Sequence, residues 1–98
     1  MFKFVTTAGK WLVMDYRNHL IESYKAEALK AYSRLPQNIR EDTILNANSL
    51  MNNPQADIHL RLDYKAFIGP VINLVLANEV TLDTEDTLDK IVEKLNKP

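Results

Sequence analysis

The stretch that decides the fold class runs from residue 56 to residue 77 and reads ADIHLRLDYKAFIGPVINLVLA. Over residues 56–65 apolar and polar residues alternate, which is the pattern of a half-buried strand. A helical spacing of apolar residues persists for about twice as long; it consists of Leu60, Tyr64, Phe67, Ile68, Val71, Leu74 and Val75. We therefore predict a helix here, with a kink or a break at Gly69-Pro70.

The same stretch carries a second apolar stripe on its other side. It consists of Ile58, Leu62, Ile72 and Leu76. A helix that is apolar on two sides is typical of a central position in a fold. The sequence thus predicts that both stripes of this helix are buried.

Three further helices are predicted around this segment. Residues 10–34 carry apolar residues at spacings of three and four, and Pro36 interrupts that helix because proline lacks the backbone N–H. A second helix is expected over residues 38–51. The last helix is predicted to be capped by Asp83 or Thr84, with acidic residues in its first turn.

These four helices predict an all-α protein with one domain spanning residues 1–98. Short connections favour an antiparallel four-helix bundle, whose third helix is kinked at its proline. The alternative is an α+β fold with strands near residues 2–6, 11–14 or 56–66. A length of 98 residues suits a single domain.

The composition is that of an ordinary globular protein, with 46% hydrophobic and 26% charged residues. The chain has no cysteine, which excludes disulfides and thiolate chemistry within it. Its most apolar stretch, residues 66–77, is shorter than the roughly 20 residues of a transmembrane helix. The N-terminus has no hydrophobic region of signal-peptide length. We expect a soluble, cytoplasmic protein without a transmembrane segment.

Charge is unevenly distributed along the chain. Residues 1–34 hold six Lys and Arg against three Asp and Glu, whereas residues 79–98 hold three against six. The simplest interpretation is that the two ends of the chain are neighbours and attract each other. The alternative is a basic surface for an anionic partner, although nucleic-acid-binding domains usually carry a larger excess of positive charge.

Motifs that would identify a catalytic or cofactor site are not found in the sequence. His19 and His59 lie on different helices, and zinc usually needs at least three protein ligands. The segment Gly9-Lys10-Trp11 lacks the first glycine and the Ser or Thr of a phosphate-binding loop. The acidic residues between 83 and 89 lack the ligand pattern of a calcium loop. We therefore expect no enzyme activity, no metal and no cofactor.

The strongest candidates for a partner-binding surface are Trp11, Leu12, Tyr16 and Arg17. The first three are apolar or aromatic and lie off the main stripe of the first helix, where they either cover the end of the bundle or contact a partner. Aromatic residues and Arg are enriched at the energetic centres of protein interfaces. The sequence thus favours a small non-enzymatic module that binds a protein partner, with self-association as one form of such binding.

Arg17 is unusual because it occupies a core-facing position of the predicted first helix. Its stem can pack in the core while the guanidinium reaches solvent or pairs with Asp89 or Glu93. The alternative is a buried positive anchor for a ligand or a partner.

The sequence is compatible with two other functions. An apolar helix, the connector Asn78–Leu82 and a short leucine-rich helix resemble small bacteriocin immunity proteins over about residues 60–95, through helix–loop–helix spacing. This resemblance implies an immunity-type or phage-type accessory protein that neutralises a toxin or a host factor. The other alternative is a DNA-binding regulator with a helix–turn–helix over residues 22–53. Nucleic-acid binding is disfavoured, because the second helix of that motif holds only one basic residue, Arg40.

Overall fold

The structure is a computed structural model that describes the backbone of residues 7–97 and the side chains of residues 15–97. Within these ranges the chain forms five α-helices and no strand. In chain order the helices are α1 (Thr7–Tyr32), α2 (Gln37–Arg40), α3 (Ile44–Met51), α4 (Ile58–Leu76) and α5 (Leu88–Asn96). The prediction of an all-α fold is thereby confirmed.

The strands of the alternative α+β fold do not form in the segments that the structure describes. Residues 11–14 lie within α1, and the region 56–66 becomes helical from Ile58 onward. Residues 2–6 lie outside the described residues. The α+β alternative is therefore wrong for the two segments that can be compared.

Helix α4 forms because its start is capped and its long apolar stripe is buried. The Asp57 carboxylate accepts a hydrogen bond from the backbone N–H of Leu60 at 3.0 Å, which satisfies a donor that the helix leaves free. The buried face consists of Tyr64, Phe67, Val71 and Leu74. The helix is assigned continuously through Pro70, and the kink predicted there stays a prediction.

The helix predicted over residues 38–51 is divided into α2 and α3, which corrects the expected number of helices. The division falls at Thr43, whose side chain accepts a hydrogen bond from the N–H of Asn46 at 3.2 Å. Thr43 itself has an extended backbone, as helix-capping residues usually do. A new helix therefore starts at Ile44 instead of continuing from Arg40.

The predicted cap of the last helix was also wrong. Thr87 caps α5, because its hydroxyl accepts a hydrogen bond from the N–H of Lys90 at 3.1 Å. Asp83 instead accepts from the N–H of Glu85, within the preceding turn. The helix begins four residues later than a cap at Asp83 would place it, and three later than a cap at Thr84.

An isolated antiparallel bridge joins the starts of α3 and α5. The N–H of Ile44 donates to the carbonyl of Asp86 at 2.8 Å, and the N–H of Leu88 donates to the carbonyl of Asp42 at 3.2 Å. Each of these N–H groups lies in the first turn of a helix and has no partner within that helix. The bridge thus supplies partners for both helix starts at once.

The core lies mainly between α1 and α4, which run antiparallel. The rings of Tyr32 and Phe67 are 6.0 Å apart near one end. Near the other end, the Arg17 guanidinium donates to the carbonyl of Ala77 at 3.0 Å. Ala28 is completely buried, and its small side chain allows the backbones to approach closely.

Helix α5 packs against the second half of α1. The Tyr32 hydroxyl donates to the Asp89 carboxylate, and the segment Leu95–Lys97 lies beside Glu22–Leu29. Both α4 and α5 therefore run opposite to α1, and residues 77–87 lead the chain back along the domain. This is not the alternating up-down order predicted from the sequence. The observed arrangement does bring parts of the basic and acidic ends of the chain together.

The buried carboxylate of Asp86 fixes the segment before α5. It accepts hydrogen bonds from the Lys94 ammonium at 2.7 Å and from the N–H of Asp83 at 3.1 Å. The hydrogen bond from Lys94, followed by that from Asp83, holds the pKa of Asp86 below its ordinary value. Because Lys94 also donates to the carbonyl of Thr81, it ties α5 to the preceding loop.

Replacement of the two threonines near the start of α5 tests which residue caps the helix. Thr87→Ala should lower the free energy of unfolding by about 1 kcal/mol, since it removes the capping acceptor. Thr84→Ala, at an exposed position, should change that free energy by less than about 0.5 kcal/mol. Urea denaturation followed by circular dichroism measures both. An equal loss in the two variants would contradict the assignment of the cap.

The lowered pKa of Asp86 predicts a loss of stability in acid. A carboxyl group whose pKa is lower in the folded than in the unfolded state contributes stability above its unfolded pKa of about 4, and this contribution disappears as the pH falls through the folded value. Asp86→Asn should therefore be less stable than the unmodified protein near neutral pH, and the difference should shrink in acid. Urea denaturation over a pH series measures this trend. The exposed Glu85→Gln variant is the control, and a difference that stays constant with pH would overturn the prediction.

Candidate functional site

The first part of α1 extends beyond the end of α4. Arg17 lies level with Ala77, which follows the last residue of α4, so the residues before Arg17 continue past that point. Ten helical residues, 7–16, correspond to about 15 Å. Residues 15–19 are all exposed, and Ile21 is the first buried side chain among those described in α1.

The predicted partner-binding residues are grouped on this extension. Tyr16 exposes 65% of its surface. Trp11 and Leu12 lie in the helical backbone of α1, and their side chains lie outside the described ones. Tyr16 thus belongs to a surface that the described core does not cover.

Arg17 is not a core residue, which corrects its predicted position. Its guanidinium is 3.2 Å from the carboxylate of Glu79, and its side chain is 55% exposed. The reason is that the core side of α1 begins only at Ile21, beyond which α4 can cover it. The carboxylate that pairs with Arg17 is that of Glu79. It is neither Asp89 nor Glu93, because α5 lies against the other half of α1.

The second apolar stripe of α4 is exposed, and its predicted burial was wrong. Ile58, Leu62, Ile72 and Leu76 are 54%, 55%, 46% and 75% exposed. The described helices cover only the opposite face of α4, against α1. We call these four residues, together with Lys65 and Gly69 between them, the α4 stripe.

Two residues within the α4 stripe could have indicated its exposure. Lys65 is charged and exposed, and a lysine is almost never fully buried without a partner. Gly69 occupies the middle of a helix, where a Cβ would meet no atom within 4 Å apart from its neighbours in sequence and the backbone of its own helix. No other described element therefore packs closely against this position, and Pro70 after it accounts for a glycine within the helix.

The described side chains include no group of three or more His, Cys, Asp or Glu placed to hold a metal ion. Among the helices of residues 7–97, none has the length and apolar character needed to cross a membrane. Arg40, the basic residue of the candidate DNA-reading helix, packs with its guanidinium 5.4 Å from the centre of the Tyr32 ring.

Comparison with protein family models, with curated proteins and with solved structures finds no match to this chain.

Paired substitutions on the two faces of α4 test the assignment of its buried side. Phe67→Ala should lower the free energy of unfolding by about 3–5 kcal/mol, because it leaves a cavity in the core. Leu62→Gln, at an exposed position of the same helix, should change it by less than about 0.5 kcal/mol. Denaturation at low protein concentration measures both values. A large loss for Leu62→Gln would show that the stripe is covered within one chain.

Proposed function

We propose that this protein is a non-enzymatic interaction module that binds a protein partner through the start of α1. The observation that carries the proposal is the extension of α1 past its core, with Tyr16 exposed on it. Together with Tyr16, the binding surface comprises Trp11, Leu12 and Arg17.

A helical segment without tertiary packing is marginally stable in water, because most helix stability in proteins comes from burial of one face. The extension carries aromatic and aliphatic residues, and such residues supply most of the binding energy when a helix docks into a groove. Binding of a partner would therefore stabilise the helix and bury these side chains together.

The contacts of Arg17 support this use of α1. Its guanidinium joins α1 to the carbonyl of Ala77 and to Glu79, at the point where the extension begins. These contacts join Arg17 to the residues that follow α4, beside the proposed surface. A surface that is oriented before binding loses less conformational entropy when the complex forms. Arg17 acts mainly as a positioning residue in this proposal.

The immunity-type and phage-type accessory function and the DNA-binding function stay predictions. No contact among the described residues favours either of them over a general protein-binding function. The Arg40 contact with Tyr32 does not favour DNA binding, because it directs this basic side chain onto the protein's own ring.

Site-specific crosslinking tests the proposal directly. A photoreactive amino acid in place of Tyr16 should crosslink to a discrete protein in the native host, whereas the same amino acid in place of Ser49, exposed on α3, should not. The captured protein, once purified, should bind the unmodified chain in calorimetry.

The Trp11→Ala/Tyr16→Ala double variant should bind that protein at least about tenfold more weakly, because it removes two aromatic contacts. Its matched control is Asn18→Ala/His19→Ala, which alters two exposed residues of the same helix and should bind normally. Equal affinity of the two double variants would eliminate the proposed surface.

A further inference from the structure

We propose that the α4 stripe is covered by the α4 stripe of a second copy of this chain, in an antiparallel pair with two-fold symmetry. This surface lies on α4 and does not include the proposed partner-binding residues of α1. The two proposals therefore stand or fall separately.

The α4 stripe has the spacing of a helix-pairing seam. Its six positions, 58, 62, 65, 69, 72 and 76, are separated alternately by four and three residues. That repeat keeps one line of side chains facing a neighbouring helix over the whole length of α4. The seam lies opposite the buried face of α4, which consists of Tyr64, Phe67, Val71 and Leu74.

The stripe is complementary to itself when the second helix runs in the opposite direction. About a centre at residue 67, Ile58 then faces Leu76, and Leu62 faces Ile72. Lys65 faces Gly69 in the same arrangement. Two-fold symmetric dimers require this property, since the same surface must fit itself.

Gly69 fits this arrangement and also suits the single chain, because it precedes Pro70 within a helix and a Cβ there would crowd the proline ring. A glycine within a helix costs about 1 kcal/mol relative to alanine. Apart from its neighbours in sequence and the backbone of its own helix, a Cβ at residue 69 would meet nothing within 4 Å, so the space beside this residue is open. In the antiparallel pair the missing side chain leaves room for the stem of Lys65 from the second copy. In a parallel pair Lys65 would instead meet its own counterpart, and two like charges would repel.

Charges favour the same direction of pairing. All charged residues of α4 lie before residue 66, so the antiparallel pair places the charged half of each helix along the uncharged half of the other. The helix dipoles also run in opposite directions in this pair, which is the favourable arrangement.

The size of the surface sets the strength of the dimer. A single helix face with four exposed aliphatic side chains is at the lower end of specific interfaces, below about 1,200 Å² in total. The dimer is therefore weak and depends on protein concentration. Sedimentation velocity over a concentration series should show a reversible shift from monomer to dimer.

Disulfide crosslinking tests the direction of pairing, and the absence of native cysteine makes it specific. A mixture of the Leu62→Cys and Ile72→Cys proteins should form a disulfide-linked heterodimer under mild oxidation. Leu62→Cys alone should crosslink several-fold less, because its two copies lie about 15 Å apart along the paired helices. The Ser49→Cys variant, exposed on α3, gives the background from random collisions.

A variant that introduces negative charge into the seam tests it independently. Leu62→Glu/Ile72→Glu should remain folded, since both positions are exposed, and should weaken dimerisation at least tenfold in sedimentation. The proposal is overturned if the unmodified chain stays monomeric at every concentration, which would leave the stripe to a different protein. It is equally overturned if Leu62→Cys crosslinks alone as fast as the mixture, which would indicate a parallel pair. Failure of either test leaves binding by the α1 extension unaffected.

Discussion

The antiparallel packing of α1 on α4 is the interaction on which the rest of the molecule depends. Phe67 of α4 is completely buried, Tyr64 nearly so, and burial raises the pKa of the Tyr64 hydroxyl to about 12. Helix α5 is joined to the end of α1 through the contact of Tyr32 with Asp89. Because one face of α4 and one part of α1 are used in this way, the other face and the start of α1 remain outside the core.

The sequence predicted the long helices well and their boundaries less well. Helices α1 and α4 repeat their apolar spacing over many turns, which gives a strong signal. The breaks at Thr43 and Thr87 depend on a feature that appears only in three dimensions. Glu-Asp-Thr occurs at residues 41–43 and again at 85–87, and the two copies meet at the bridge between α3 and α5. Neither copy alone identifies its threonine as the cap.

Burial was harder to predict than helix formation. The second apolar stripe of α4 was found from spacing, but spacing cannot tell whether another helix covers it. The apolar periodicity of α1 predicts a core position for Arg17 for a related reason, since spacing does not show where the neighbouring helix ends. Its partner Glu79 follows from the antiparallel packing of α4 on α1, which brings the residues after α4 to Arg17 and which no local pattern encodes. The candidate surfaces are thus properties of the topology as much as of the sequence.

The bridge between α3 and α5 has a consequence for how the protein opens. These helices have eight and nine residues, which is too short for independent stability. The amide hydrogens of Ile44 and Leu88 are each bonded to the segment that precedes the other helix. They can therefore exchange with solvent only when the two helix starts separate. The two short helices form one cooperative unit, although 36 residues of chain lie between them, and a disturbance at either start is transmitted to the other.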